Sequence, residues 1–467
     1  MCDTGAVSLS IWCAVLACVG SKQPCPISVF EKPEEVLACE QRAQNEPVNQ
    51  ALASEACLRT YFVNRLTANP MLPEDYAMLA GFAEKKFGKN LPPSGYRVRR
   101  DIRVLSVTER HKLFRAFNVL YKTGVLARFG RLHGIQTLRK HSGASFLPWH
   151  RVFTAAVEEK LREIDPEVSL PYWDFTMDTY LPLPSESIMW SSCFVGNGNG
   201  TVLEGPFRNM YGGLNTLIER DIAQNGTRLI NKDDIDKLMG LCFYANITTG
   251  NDPNYHQKVN NLEVLHDGVH DWVGGDMSYG EYASYDPVFF MIHAFIDYIW
   301  EQFRRRQSSS MCSVDVEKDY REPKDYAVDN VPGHAPWDEM HGFEYLQNHD
   351  GLWRNWTTAV YGYEPAPKCP KCGNSENLYC DMNVDQRRPE GVCVTKTRFF
   401  CVDPPLNDFD RNTSYEEPVG GGATVIQGTR HNEPPEDDRT RFMSQKEGLA
   451  IVRQQVGQVT PSLQSVS

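Results

Sequence analysis

The chain has 467 residues, 41% hydrophobic and 23% charged, enough for a large buried core and, by length, for two or three domains. A formal net charge of −12 with no long lysine or arginine run argues against nucleic acid or anionic membrane as a partner, and serves mainly solubility.

Residues 5–19 (GAVSLSIWCAVLACV) form an apolar run too short to span a bilayer and placed where a secretory signal belongs, although Asp3 replaces the usual positive flank. Cleavage after Ala17 leaves twelve of the fourteen cysteines and cleavage after Gly20 leaves eleven, so even pairing favours Ala17. A signal over 1–20 is therefore expected, followed by a cysteine-containing segment over 21–95 with Cys25, Cys39, Cys57 and helical patterns at 52–66 and 75–87. Residues 96–102 (YRVRRDI) read as a short strand, and Ser106 with Glu109 as a capping box opening a helix to Tyr121.

Six of the twelve histidines then fall into two groups, His133, His141, His150 and His266, His270, His293. His266 and His270 stand four apart, so on a helix they share one face. His293 lies in a second helix with Asp286 as N-cap, Pro287 as first residue, and Phe289, Ile292, Ile296, Ile299 and Phe303 at helical intervals. FLPWHRVFTAAVEEKLR and FFMIHAFIDYIWEQFRR align on His150 and His293, with Glu158 and Glu301 in matching places, which suggests two facing helix pairs. The expected fold is mainly α: an antiparallel four-helix bundle with inward ligands, loop-rich flanks and few short strands. Imidazole suits copper, zinc, iron and nickel, and three neutral imidazoles per ion without a thiolate suit copper, so the expected cofactor is two copper ions. A lone histidine on an apolar helix is more often core than ligand; six in this order reverse that reading. His111, His256, His334, His341, His349 and His431 read as surface or structural.

Residues 196–213 and 246–254, between the two groups, read as surface loops. After Pro365, Cys369, Cys372, Cys380, Cys393 and Cys401 make a compact module over 364–403; its CxxC is half of a zinc site, but nothing completes one, and an oxidising compartment favours disulfides. Residues 404–467, rich in Pro, Gly, Asp and Glu, read as a mostly disordered tail with a short helix near 444–455. Sequons at Asn199, Asn225, Asn246, Asn355 and Asn412 support secretion and glycosylation, and no later apolar run reaches bilayer length.

The two histidine segments, with FLPWHR, PYWDF at 171–175, HxxxH, DP and HAFID, resemble the copper signatures of the type 3 copper family: tyrosinases, catechol oxidases and haemocyanins. The resemblance covers residues 96–363, expected as the copper-binding domain, and is greatest to secreted animal tyrosinases, including those of shell-forming invertebrates. It implies a phenol oxidase that uses O2 to hydroxylate monophenols and oxidise o-diphenols to o-quinones. Substrates would be phenolic or catecholic small molecules or tyrosine-containing proteins, with pigment formation among the implied roles. The alternatives are a catechol oxidase without hydroxylation, a haemocyanin-like oxygen carrier and an inactive matrix protein.

Several residues bear on that choice. Arg139 stands where crosslinked members carry a cysteine, and Ile292 where many relatives have a histidine, which removes a neighbour of the ligand His293. Asp267 stands where hydroxylating members often have asparagine. Glu263 is the candidate to orient a water that takes the phenolic proton, with Asp267 as partner or competitor; its plainer reading is a solvated helix carboxylate. Gly280 and Ala283 suggest an open entrance over the second copper. Asp297, one turn beyond His293, would hold a ligand or a nearby arginine.

Overall fold

The structure, a computed structural model, describes residues 34–43, 57, 95–141, 143–248, 261–320 and 333–401. The expected signal, the helical patterns at 52–66 (apart from Cys57) and 75–87, and the tail from 404 with its short helix lie outside them.

Seven α-helices are described: α1 (Glu34–Ala43), α2 (Val107–Lys122), α3 (Val125–Lys140), α4 (Phe146–Ile164), α5 (Lys232–Met239), α6 (Leu262–Val273) and α7 (Val288–Gln307). The Ser106–Glu109 capping box is present and opens α2. Gly124, at φ +74°, takes the left-handed conformation that lets α2 turn directly into α3. α7 begins one residue later than expected, yet the Asp286 carboxylate still accepts from Val288 N at 3.0 Å, so the cap acts as predicted.

Helices α4 and α7 are buried on nearly all sides, as helices through the centre of a core must be. Their aromatic side chains interlock: Trp149 stacks on Phe153 at 4.8 Å, and Phe153 packs on Phe290 at 5.8 Å. Helix α2 packs on α3 and α4, and α6 on α7, completing a mainly α architecture around one aromatic core.

The strands are short and paired in twos. β1 (Arg97–Arg99) runs parallel to β6 (Tyr361–Tyr363), far along the chain, with Arg97 opposite Tyr361 and Arg99 opposite Tyr363. The predicted strand is thus present but shorter, and its two arginines point inward to Glu158 and Glu159 of α4. β2 (Asn199–Thr201) pairs with β3 (Glu219–Asp221), and β4 (Glu339–Met340) with β5 (Phe343–Gln347). β7 (Leu378–Asp381) and β8 (Val392–Thr395) form a hairpin in the cysteine module.

The surface-loop expectation for 196–213 does not hold. Val202, Phe207 and Met210 are buried, and Phe207 sits edge-on to both Phe114 and Phe117 of α2. The glycines that suggested a loop are turns around an apolar anchor. The five C-terminal cysteines are oxidised, but not as a closed module: Cys369 pairs with Cys380 and Cys372 with Cys393, while Cys401 reaches back to Cys193. Cys39–Cys57 and Cys242–Cys312 are also bonded. Among the described residues no helix is long and apolar enough to cross a membrane.

Candidate metal centre

Five of the six predicted histidines sit within helices: His133 on α3, His150 on α4, His266 and His270 on α6, His293 on α7. Asn261 starts α6 by accepting from Glu263 N at 2.9 Å, which fixes the turn that aims His266 and His270 inward. His141 differs: it is the extended C-cap residue of α3. In each group of three, one ring nitrogen from each histidine lies within 4.8 Å of the other two. The two groups adjoin, with the His150 and His293 rings stacked at 4.5 Å and 12° between planes.

Hydrogen bonds set which nitrogen of each ring faces the centre. Nδ1 of His141, His150 and His270 meets the carbonyl oxygen of Thr137, Phe146 and Met277 at 3.0, 2.8 and 3.0 Å. A carbonyl only accepts, so Nδ1 carries the proton and Nε2 presents a lone pair. Asp267 does the same for His266 at 3.1 Å. Burial pushes all six imidazoles down, to about 3 for His141, His266 and His270 and well below the usual range for the others, where neighbouring imidazoles add to it.

This proton arrangement fits a metal. His266 and His270 both aim Nε2 lone pairs at His293 Nε2, at 3.0 and 3.3 Å, and one proton on His293 can serve only one of them. His133 and His150 likewise place Nε2 atoms 3.3 Å apart. A cation at the centre of each group satisfies all of these lone pairs at once, through neutral nitrogen donors alone.

Two further residues frame the centre. Phe146 lies 4.5 Å from His150 and 4.8 Å from His266; Phe289 lies 4.7 Å from His133 and 4.0 Å from His293. Each stands four residues before the third histidine of its group, so both flank the centre with apolar rings. The sequence carried this signal in the alignment of the two segments, and reading it only for the histidines missed the pair.

The other candidates resolve as follows. Asp297 holds an arginine rather than a ligand: Arg151 Nε donates to it at 2.6 Å. Ile292 is fully buried and fills the core. Glu263 is buried, and burial first, then its carboxylate, push the neighbouring Tyr244 phenol up. It is therefore no solvated helix carboxylate. The Asp267 side chain is 53% exposed. Gly280 and Ala283, read as leaving an open entrance, also have a packing reason to be small. A Cβ on Gly280 would lie 2.7 Å from Thr137 Cγ2, and Ala283 is fully buried.

Residues 123–306 match the family described as the common central domain of tyrosinase. The chain is 33% identical over 341 residues to the tyrosinase-like protein tyr-3 of Caenorhabditis elegans, covering 69% of this chain and 48% of that protein. It is 31% identical over 319 residues to tyrosinase-like protein 1 of Margaritifera margaritifera, covering 64% and 61%. Against a tyrosinase of Streptomyces antibioticus it is 30% identical over 237 residues, 46% of this chain and 85% of that enzyme. The chain thus spans about half to three fifths of the length of the two animal relatives.

Proposed function

The chain belongs to the tyrosinase family, and on that premise we propose that it is a secreted phenol oxidase that hydroxylates monophenols with O2 and oxidises o-diphenols to o-quinones. The family's cofactor is a pair of copper ions, and the two histidine triads fit it. The observation that carries the reading is the set of Nε2 lone pairs turned toward two adjoining centres inside an aromatic core. The copper pair, when bound, supplies the redox chemistry with dioxygen. Phe146 and Phe289 keep water from the ring nitrogens and hold the imidazoles in place. Asp267, at once exposed and bonded to His266, is placed to orient that ligand and to take a proton from an incoming phenol, with Glu263 on the same turn of α6.

Five disulfides among the described residues support an oxidising, extracellular destination, as do exposed sequon asparagines at 199, 225, 246 and 355. A second reading, a catechol oxidase without hydroxylation, is favoured by Asp267 standing where hydroxylating relatives often have asparagine.

Copper per chain and quinone formation from a tyrosine-type monophenol and from a catechol test both readings, with His293→Ala as control. Two coppers and turnover of both substrates, lost in the control, support the first. Catechol turnover alone supports the second, and an apo protein that takes up no copper ends both.

A further inference from the structure

His141 is the one ligand on non-helical backbone, so the helical hydrogen bonds that fix the other five do not fix it. Its neighbours are nevertheless tightly held, by a segment far along the chain and outside the matched family region of 123–306. Lys140, fully buried, sends its ammonium to Gly333 O at 2.6 Å, Asn348 Oδ1 at 3.0 Å and Glu339 O at 3.4 Å. Asn348 closes the cradle, donating to Gly333 O at 2.9 Å and Ala335 O at 2.7 Å. On the other side of His141, Ser145 Oγ meets His334 Nδ1 at 2.8 Å, and a Cβ on Gly143 would run into the His334 ring at 2.2 Å. Tyr244 completes the grip by donating to Ala144 O at 2.6 Å.

A buried ammonium carries a large desolvation cost, which oxygen acceptors on the 333–348 segment offset in part. What the lysine adds is direction: three acceptors fix the last turn of α3, and with it the point from which His141 leaves the helix.

We propose that Lys140 is a positioning residue for His141, and that the 333–348 segment, through Lys140 and Asn348, sets how firmly the first copper is held. The inference rests on the two-copper reading of the site and is independent of which phenol is oxidised. In its consequence the two coppers are unequal. The second triad draws all its ligands from helices α6 and α7, whereas the first depends on a cradle that a single substitution opens.

The test compares parent, Lys140→Met and Asn348→Ala chains loaded with copper and dialysed against a graded copper chelator, with copper per chain, the electron paramagnetic resonance of the oxidised protein and the melting temperature of the copper-free chain as readouts. Loss of a partner to a ligand typically weakens metal binding about 10–100-fold. The expected result is that Lys140→Met retains one copper where the parent retains two, with a lone-Cu(II) signal, while Asn348→Ala shows a smaller shift in the same direction. Should Lys140→Met fail to fold, Asn348→Ala alone decides. Two coppers retained as tightly as in the parent overturn the inference. So does parallel loss of both coppers with a fall in copper-free melting temperature, which marks a purely structural role. A parent chain that takes up no copper overturns the inference and the proposed function together; a variant indistinguishable from a two-copper parent overturns the inference alone.

Discussion

Arg151 donates through Nε to Asp297 Oδ1 at 2.6 Å, tying the residue after His150 to the residue one turn beyond His293. The pair therefore joins α4 to α7, the two helices that carry the third histidine of each triad. Asp297 Oδ2 accepts from Tyr361 and Tyr363, each at 2.6 Å, and Arg99 lies 3.7 Å from the Tyr361 ring centroid. Every group is buried, so every charge needs its partner. Burial alone would raise the Asp297 carboxyl, but Arg151, Arg99 and the two phenols outweigh it and hold it below the usual range.

Asp297→Ala should therefore break a buried ion pair, leaving Arg151 with Glu301 at 3.2 Å while Arg99 keeps Glu158, at a cost of about 3–5 kcal/mol. Calorimetry of the copper-free chain should show a fall of roughly 10 °C, taking about 2–4 °C per kcal/mol for a domain of this size. Tyr361→Phe removes one hydrogen bond to a charge and should cost less, about 1.5–3 kcal/mol. Equal melting temperatures for parent and Asp297→Ala would show that the pair adds nothing to the helix junction.

The acid limb of stability has a separable component in Glu158. Burial acts first and upward on this carboxyl, but Arg97, Arg99 and the Leu170 amide overcome it and hold it at about 2, against 4.5 for the unperturbed group. A carboxyl depressed on folding stabilises the fold above its unfolded value and loses that contribution as pH falls through its folded value. The stability gap between parent and Glu158→Gln should thus be full above pH 4.5 and close toward pH 2. Using the difference removes the buried histidines, which also take up protons in acid. A gap that stays constant over this window would mean that the ion pairs to Arg97 and Arg99 are not what depresses Glu158.

How much of this was legible beforehand depends on the range of each interaction. The capping box at Ser106 and the Asp286 cap are local, and the sequence announced both. His266 and His270 were legible because spacing within a helix places them on one face, and the other four because of their order and the motifs around them. Asp297 was legible only as a question, since its partner Arg151 lies 146 residues away. The cradle of Lys140 left no trace, because a lysine at a helix end ordinarily reads as solvated. Residues 196–213 misled for the opposite reason: glycine and asparagine mark turns whether or not a Phe207 between them is buried. Cysteine count implied disulfides, while the Cys193–Cys401 link spans 208 residues and follows from tertiary packing.

Gly280 now has a steric role with a compensating partner. An added Cβ would stand 2.7 Å from Thr137 Cγ2, on a loop whose Met277 carbonyl holds His270. Gly280→Ala should push that loop outward and weaken copper retention at the second triad, about 10-fold if it acts as a lost ligand partner does. Thr137→Ser deletes the clashing methyl and keeps the hydroxyl that donates to His133 O at 3.1 Å. The double variant should recover most of the loss. If Gly280→Ala alone binds copper as the parent does, the contact is slack; if the double variant stays weak, the damage arises from backbone conformation instead.

Asp267 is the residue on which the two functional readings diverge. Its carboxylate lies 3.1 Å from His266 Nδ1 while half of its side chain faces solvent, so it divides its charge between a ligand and whatever approaches. A carboxylate bonded to the outer nitrogen makes the imidazole a better donor, whereas an amide there leaves the ligand less electron-rich. Asp267→Asn keeps the shape and removes the charge. In the hydroxylating reading, Asp267 also takes the phenolic proton, and the variant should lose monophenol turnover by about 10²-fold or more while keeping most catechol turnover. In the catechol-oxidase reading the negative charge repels a phenolate, and the same variant should gain monophenol turnover. The ratio of the two rates, measured on chains with equal copper content, separates the readings by its sign. A ratio unchanged from the parent would remove Asp267 from the proton path and leave Glu263 as the candidate on that helix turn.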